Sequence, residues 1–179
     1  IYLPMYGNNA GKNYGTGGDF TVNSGPYTGA RGPNEFWGNW ANITTGSSGL
    51  RTTSGVGTSD SGTFSISCSF NIPTSGANTR LFSATNASNA WRLDVYISDT
   101  GILTLLGRNA AGTTRLSATS NSGITYNANQ FLQLSIDLSN TASRNVFING
   151  SSFAMTWTTY TNDTLELSSP FVGVGCFAN

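Results

Sequence analysis

Between Thr63 and Pro73 the chain reads Thr-Phe-Ser-Ile-Ser-Cys-Ser-Phe-Asn-Ile-Pro, with an apolar residue at every even position from Phe64 to Ile72. Small polar residues fill the odd positions between them. Side chains alternate across a β-strand with period 2, so Phe64, Ile66, Cys68, Phe70 and Ile72 share one face and Ser65, Ser67, Ser69 and Asn71 share the other. A helix would scatter both sets around its circumference. Pro73 cannot donate to a sheet ladder and stops the strand. This stretch reads as the centre of a sheet against which the rest of the chain packs.

The same period recurs downstream. Trp91, Leu93, Val95 and Ile97 alternate with Arg92, Asp94, Tyr96 and Ser98, and Asp99-Thr-Gly101 turns this strand into Ile102 to Leu106. Leu132, Leu134, Ile136 and Leu138 alternate with Gln133, Ser135 and Asp137 in a strand opened by Gln130. Asn149-Gly150 is the strongest hairpin signal, because Asn-Gly accepts the positive φ angles of a type I′ turn. It is flanked by Val146 to Ile148 and by Phe153 to Trp157. Shorter candidates are Ile1 to Met5, Asp19 to Val22, a hairpin within Ala41 to Thr53, Arg80 to Ala84, Thr113 to Ala118, Asp163 to Leu167 and Phe171 to Phe177. Tyr27 to Trp40, aromatic and broken by Gly and Pro, reads as an irregular packed loop. No segment sustains a 3.6-residue period, and turn signals recur about every 8 to 12 residues. These features predict an all-β, two-sheet antiparallel β-sandwich.

A length of 179 residues suits one domain. Residues 1–62 read as N-terminal edge strands with the Gly/aromatic loop, and residues 63–179 as the core strands. The charged fraction is 9%, far below the roughly 25% of an average globular protein, so Ser, Thr, Asn and Gly must supply the polar surface. The formal net charge is zero, and the eight basic residues, seven of them Arg, are scattered singly. Nucleic acid would require an electropositive track, which this pattern lacks. No apolar run approaches the roughly 18 residues of a membrane-spanning helix, and Ile1 to Tyr6 lacks the basic start of a signal peptide. A chain beginning without Met is expected to be processed or part of a longer one. Cys68 and Cys176 both fall in apolar strand patterns and read as two buried thiols, with one disulfide between adjacent strands as the alternative. Glycosylation-type triplets begin at Asn42, Asn86, Asn149 and Asn162, but an Asn-, Ser- and Thr-rich chain contains such triplets by chance.

Taken in order, Phe64 to Pro73, Leu81-Phe82-Ser83, Trp91 to Leu106, Leu132 to Leu138 and Val146-Phe-Ile-Asn-Gly150 resemble the strands of the concanavalin A-like, laminin-G-like jelly roll. The resemblance covers roughly residues 41 to 177, and Ile1 to Met5 fits that family's first edge strand. Domains of this kind, rich in Ser, Thr, Asn and Gly and with Arg favoured over Lys, are similar to those carried by virion proteins of tailed bacteriophages. The resemblance implies one further strand after Phe171 to Phe177, whereas the sequence ends at Asn179. That strand is expected from beyond the given sequence, or from another chain by strand addition at the edge beside Ile1 to Met5.

The chain has no His, which removes the usual general base, triad member and transition-metal ligand together. Glycoside hydrolases on the same jelly roll carry a Glu-x-Asp-x-x-Glu strand, absent here. The closest acidic pairs are Asp94 with Asp99 and Asp163 with Glu166; odd spacings would put each pair on opposite strand faces, although the turn between Asp94 and Asp99 blurs the first case. A retaining mechanism needs two carboxyls about 5 Å apart, an inverting one about 6.5 to 9.5 Å. The chain is therefore expected not to be an enzyme. Sugar recognition combines flat aromatic faces with Asn, Asp and Gln. The candidates are Trp37, Trp40 and Glu35 in the Gly-rich loop, and Tyr160, Asn162 and Asp163 before the penultimate strand. The alternative roles are end plugs of the sandwich for the Trp residues and an ordinary Asx turn for Tyr160 to Asp163. No cofactor is expected. The resemblance makes calcium the ion to consider, but there is no Asp-x-Asp cluster, and Asp19, Asp60 and Asp99 read as turn formers.

The leading expectation is a non-catalytic module on a virion surface, capsid or tail, that adheres to host-surface glycans within a larger assembly. An extracellular location is the alternative setting. A purely structural decoration or cement role, with only protein partners, is the competing reading, and a glycoside hydrolase the distant third.

Overall fold

A computed structural model describes residues 21–23, 30–31, 39–40, 49–51, 59–86, 88, 90–168 and 171–174. Among these residues there is no helix. The strands are β1 (Thr21–Asn23), β2 (Ala30–Arg31), β3 (Asn39–Trp40), β4 (Gly49–Arg51), β5 (Thr63–Phe70), β6 (Thr79–Thr85), β7 (Trp91–Ile97), β8 (Ile102–Arg108), β9 (Thr114–Gly123), β10 (Gln130–Asp137), β11 (Arg144–Ile148), β12 (Ser151–Ser152), β13 (Met155–Tyr160) and β14 (Phe171–Val174). They form a larger sheet in the order β1-β4-β14-β6-β7-β8-β9-β13 and a smaller one in the order β12-β11-β10-β5, with β2 and β3 paired separately. Every ladder is antiparallel. The chain is a two-sheet antiparallel β-sandwich, as the alternation predicts.

One core lies between the sheets. Leu132, Leu134, Ile136 and Leu138 from β10 and its end are at most 3% exposed, and Val95, Ile97, Leu103 and Leu105 of β7 and β8 at most 1%. Burial of each such side chain contributes about 1.5–3 kcal/mol. The hairpin between β7 and β8 turns at Gly101, with φ 84°, and the Asn149-Gly150 turn has φ 53° and 78°, as type I′ requires. Residues 123–130 carry the chain from the larger sheet to the smaller. Gln130 braces this crossing by donating to the Thr125 carbonyl at 2.8 Å.

Four expectations about the strands change. β5 stands at the end of the smaller sheet, not at its centre, and its inward Phe64, Ile66 and Cys68 are only half-buried. The centre is taken by β10, whose inward residues are the more fully buried. The Asn149-Gly150 turn closes only the short pair β11–β12; Met155 onward crosses to the far edge of the larger sheet and pairs with β9. Asp163 to Leu167 forms no strand, only the bridge between Ser61 and Leu165, because its side chains turn to separate partners. Tyr27 to Trp40 holds a short ladder, Ala30 opposite Trp40 and Arg31 opposite Asn39.

The polar face of β7 departs from the usual pattern of solvated alternation. Arg92 and Asp94 point away from the core, yet both are buried, as are Ser83 and Thr104 on neighbouring strands. Charges held out of water need partners. Asp94 has Arg80 at 3.3 Å, and Arg92 is paired with Glu166. β14 lies within the larger sheet between β4 and β6. Ile1 to Met5, with the edge expected beside it, and Cys176 lie outside the described residues. Cys68 is a free thiol.

Candidate functional site

The segment after β13 is threaded across one end of the larger sheet by residues that alternate in destination. Thr161 N–H donates to the Arg115 carbonyl at 3.0 Å, and Glu166 N–H to the Arg108 carbonyl at 3.1 Å. Between these ties Leu165 drops into the core with no exposed surface. Gly107 makes room for it, because a Cβ there would stand 2.8 Å from Leu165 Cδ1. A Cβ at Gly62 would lie 2.6 Å from the Asp163 main-chain oxygen, so the start of β5 packs directly under this segment.

Asp163 is thereby held against the turn between β8 and β9. Asn109 closes that turn with its own side chain, its Oδ1 accepting from Thr113 N–H at 2.9 Å, while Gly112 supplies the required φ of 80°. The other end of the same amide reaches out, and Asn109 Nδ2 donates to Asp163 Oδ2 at 2.9 Å. Arg115 Nε stands 2.7 Å from that oxygen, and Asp163 Oδ1 accepts from Thr164 N–H at 2.8 Å. The Asn109 hydrogen bond, then that of Thr164 and the Arg115 charge, hold the Asp163 carboxyl below the usual carboxylate range. It is an ionised acceptor flanked by two donors. The Asp163 and Arg115 side chains remain 31% and 30% exposed, and Asn162 beside them is exposed.

Tyr160 has a different environment. Its hydroxyl donates to the Asp137 carbonyl at 2.7 Å, tying the edge of the larger sheet to β10. Its ring meets Trp157 edge-on at 5.4 Å, and the Arg144 guanidinium lies 5.3 Å from the Tyr160 ring centre and 5.2 Å from that of Trp157. Burial, ahead of the opposing hydrogen bond, pushes the phenol up. Of the candidates read from sequence, Asn162 and Asp163 thus share one corner, whereas the hydroxyl of Tyr160 joins the two sheets. Trp40 occupies β3 opposite Ala30; its side chain, with all of Glu35 and Trp37, lies outside the described residues.

Asn109 and Arg115 are the members of the corner that sequence reasoning did not single out. Both stand some fifty residues before Asp163, and Asn109 looks there like an ordinary turn residue. The remaining described acids are placed elsewhere: Asp60, expected as a turn former, instead accepts from the distant Leu167 and Ser168 N–H at 3.0 Å each, Asp137 accepts from Ser139, and Asp99 lies in the β7–β8 turn. Among the described residues no group of three or more His, Cys, Asp or Glu could hold a metal ion.

No protein-family model matches the chain, and no curated protein matches it. Among solved structures, the fold is similar to that of the CBM40 of the Ruminococcus gnavus IT-sialidase bound to α2,3-sialyllactose, with a TM-score of 0.43 and 17% identity, covering 73% of this chain and 89% of that one.

Proposed function

We propose that the chain is a non-catalytic, carbohydrate-binding β-sandwich module of the concanavalin A-like, laminin-G-like kind, and that the corner at Asp163 receives sugar hydroxyls. The observation that carries this reading is the pairing of Asp163 with Asn109 and Arg115 at a half-open surface. A sugar hydroxyl both donates and accepts, so adjacent hydroxyls fit an ionised carboxylate that can only accept, set beside an amide and a guanidinium that donate. The arrangement is ordered before any ligand arrives, which lowers the entropic cost of binding.

The same geometry favours binding over hydrolysis. A general acid needs a raised pKa and access to substrate, whereas Asp163 is held low and Glu166 is engaged by Arg92. Asp94, pushed up to about 6 by burial, is 3% exposed and closed off against Arg80. The jelly-roll assignment draws on repeated crossing between sheets, from β5 to β6, β9 to β10 and β12 to β13. A virion-surface setting is what the resemblance to the Ser-, Thr-, Asn- and Gly-rich domains of tailed-bacteriophage virion proteins implies for a chain of this composition.

A glycan array tests the reading. Wild-type protein is expected to bind at least one glycan class, with the signal reduced about tenfold or more in Asp163→Ala, as loss of hydrogen bonds to a charged group implies. Asn162→Ala, which leaves the Asn109 and Arg115 ties intact, should weaken binding without lowering the melting temperature. Absence of any glycan signal, together with large buried contacts to neighbouring proteins in the assembly, would favour the cement role.

A further inference from the structure

The two sheets present unlike outer faces. That of the larger sheet is buried around Ser83, Arg92, Asp94 and Thr104, whereas that of the smaller sheet is open: Ser65, Ser67, Ser69, Gln133, Ser135 and Asn145 are all exposed. Register arranges these residues in rows. One runs Ser67, Gln133, Phe147 and the next Ser65, Ser135, Asn145. Neighbours within a row are about 4.8 Å apart and successive rows about 6.8 Å, from the strand spacing and twice the rise per residue. The side chains of Ser67, Ser69, Gln133 and Asn145 make no hydrogen bond to other described residues, so their donors and acceptors remain open. The charged member of the face among the described residues, Asp137, sits at its end and is engaged by Ser139 N–H at 3.0 Å and Oγ at 2.6 Å.

Two aromatic rings lie on this neutral field. Phe131 is a large apolar side chain left 39% exposed, and Phe147 is its diagonal neighbour across β10 and β11, a separation aromatic side chains can span. Phe131 is clamped from both sides of its peptide backbone: its N–H donates to Asn149 Oδ1 at 2.8 Å, and its carbonyl accepts from Asn149 N–H at 2.9 Å. The ring is thus mounted on a rigid strand end beside a type I′ turn.

We infer that this face is a second sugar-contact surface, a platform for an extended, uncharged polysaccharide chain; the inference rests on the reading that the module binds carbohydrate. Rings at Phe131 and Phe147 cover the C–H faces of successive sugars. The hydroxyl and amide rows meet the sugar hydroxyls at regular intervals, and the lack of charge over the field matches a neutral polymer. The face lies on the smaller sheet, apart from the Asp163 corner on the larger one.

Gel retardation in soluble neutral polysaccharides (mixed-linkage β-glucan, xylan, galactomannan) and in anionic alginate tests it. Retardation by at least one neutral polymer is expected, weakened at least about fivefold in Phe131→Ala and in Ser67→Arg, whose long charged side chain obstructs the rows. Melting temperatures within about 2 °C of wild type are expected for these surface variants, as substitutions away from buried features change stability little. Retardation abolished by Asp163→Ala but unchanged in Phe131→Ala and Ser67→Arg would overturn the platform and leave the module's sugar binding standing. Retardation by alginate alone would overturn it too. No retardation by any polymer, with self-association that Ser67→Arg abolishes, would overturn the platform and make the face an interface between copies, leaving the Asp163 corner to the glycan array.

Discussion

Tyr160 and Asp137 are joined by a hydrogen bond of 2.7 Å from the phenolic hydroxyl to the main-chain carbonyl, and through it the outermost strand of the larger sheet is tied to the central strand of the smaller. Arg144 fills the same side of the sandwich against the Trp157 and Tyr160 rings. Tyr160→Phe removes only the hydroxyl and is expected to destabilise the fold by about 1 kcal/mol. Arg144→Ala removes the cation–π contacts, at about 0.5–2 kcal/mol. Urea denaturation checks both, and a glycan affinity lowered by Tyr160→Phe without loss of stability would show that the hydroxyl meets ligand instead.

Stability should fall as pH rises through the range where Asp94 ionises. Burial, partly opposed by Arg80, pushes its carboxyl from an ordinary value near 3.8 up to about 6. Between these values the folded chain holds a proton that the unfolded chain has released, so raising pH favours unfolding. Arg80, whose guanidinium also lies 5.5 Å from the Tyr96 ring centre, is the charge paired with it among the described residues. Urea midpoints measured from pH 4 to pH 7 should show this downward contribution in wild type and its loss in Asp94→Asn. An identical pH profile in the two proteins would contradict the burial argument.

Cys68 should be a sluggish thiol. The residue as a whole is half-buried, but it packs against the core, and the exclusion of water around its thiol pushes its pKa up to about 12, leaving almost no thiolate at neutral pH. In a Cys176→Ser background, labelling by a disulfide reagent at pH 8 should be slow for native protein and fast in denaturant. Equal rates would contradict the environment described.

Gly62→Ala should disturb the Asp163 corner from below, since the new Cβ would stand 2.6 Å from the Asp163 main-chain oxygen. Backbone must shift to relieve such a contact, and overpacking of this sort costs about 1–3 kcal/mol. Reduced thermal stability with a parallel loss of glycan affinity is the expected outcome. Unchanged values for both would separate β5 from the corner.

Strands whose neighbours lie close in sequence were legible from it. The alternation of Leu132 to Leu138, the β7–β8 hairpin and the Asn149-Gly150 turn each follow from local side-chain chemistry. What escaped depends on partners far along the chain. Arg92 and Asp94 look solvated in a polar/apolar alternation, yet they are buried, and Glu166, the partner of Arg92, stands 74 residues away. The position of β5 at the end of its sheet depends on β10 taking the centre, which period alone does not encode. Asp163 was legible as a polar loop residue, while its partners Asn109 and Arg115 became visible only once two loops met. The Phe131 face was hidden because an exposed Phe in an alternating strand looks like a lapse until its diagonal neighbour is known.

The most direct test of carbohydrate recognition at the Asp163 corner is an NMR titration of the labelled protein with a panel of methyl glycosides. Saturable shifts of the Asn109 and Asn162 side-chain amides and of the Thr164 backbone amide are expected for at least one sugar, with loss of that response in Asp163→Ala. Shifts confined to other parts of the sandwich, or none with any sugar in the panel, would contradict it.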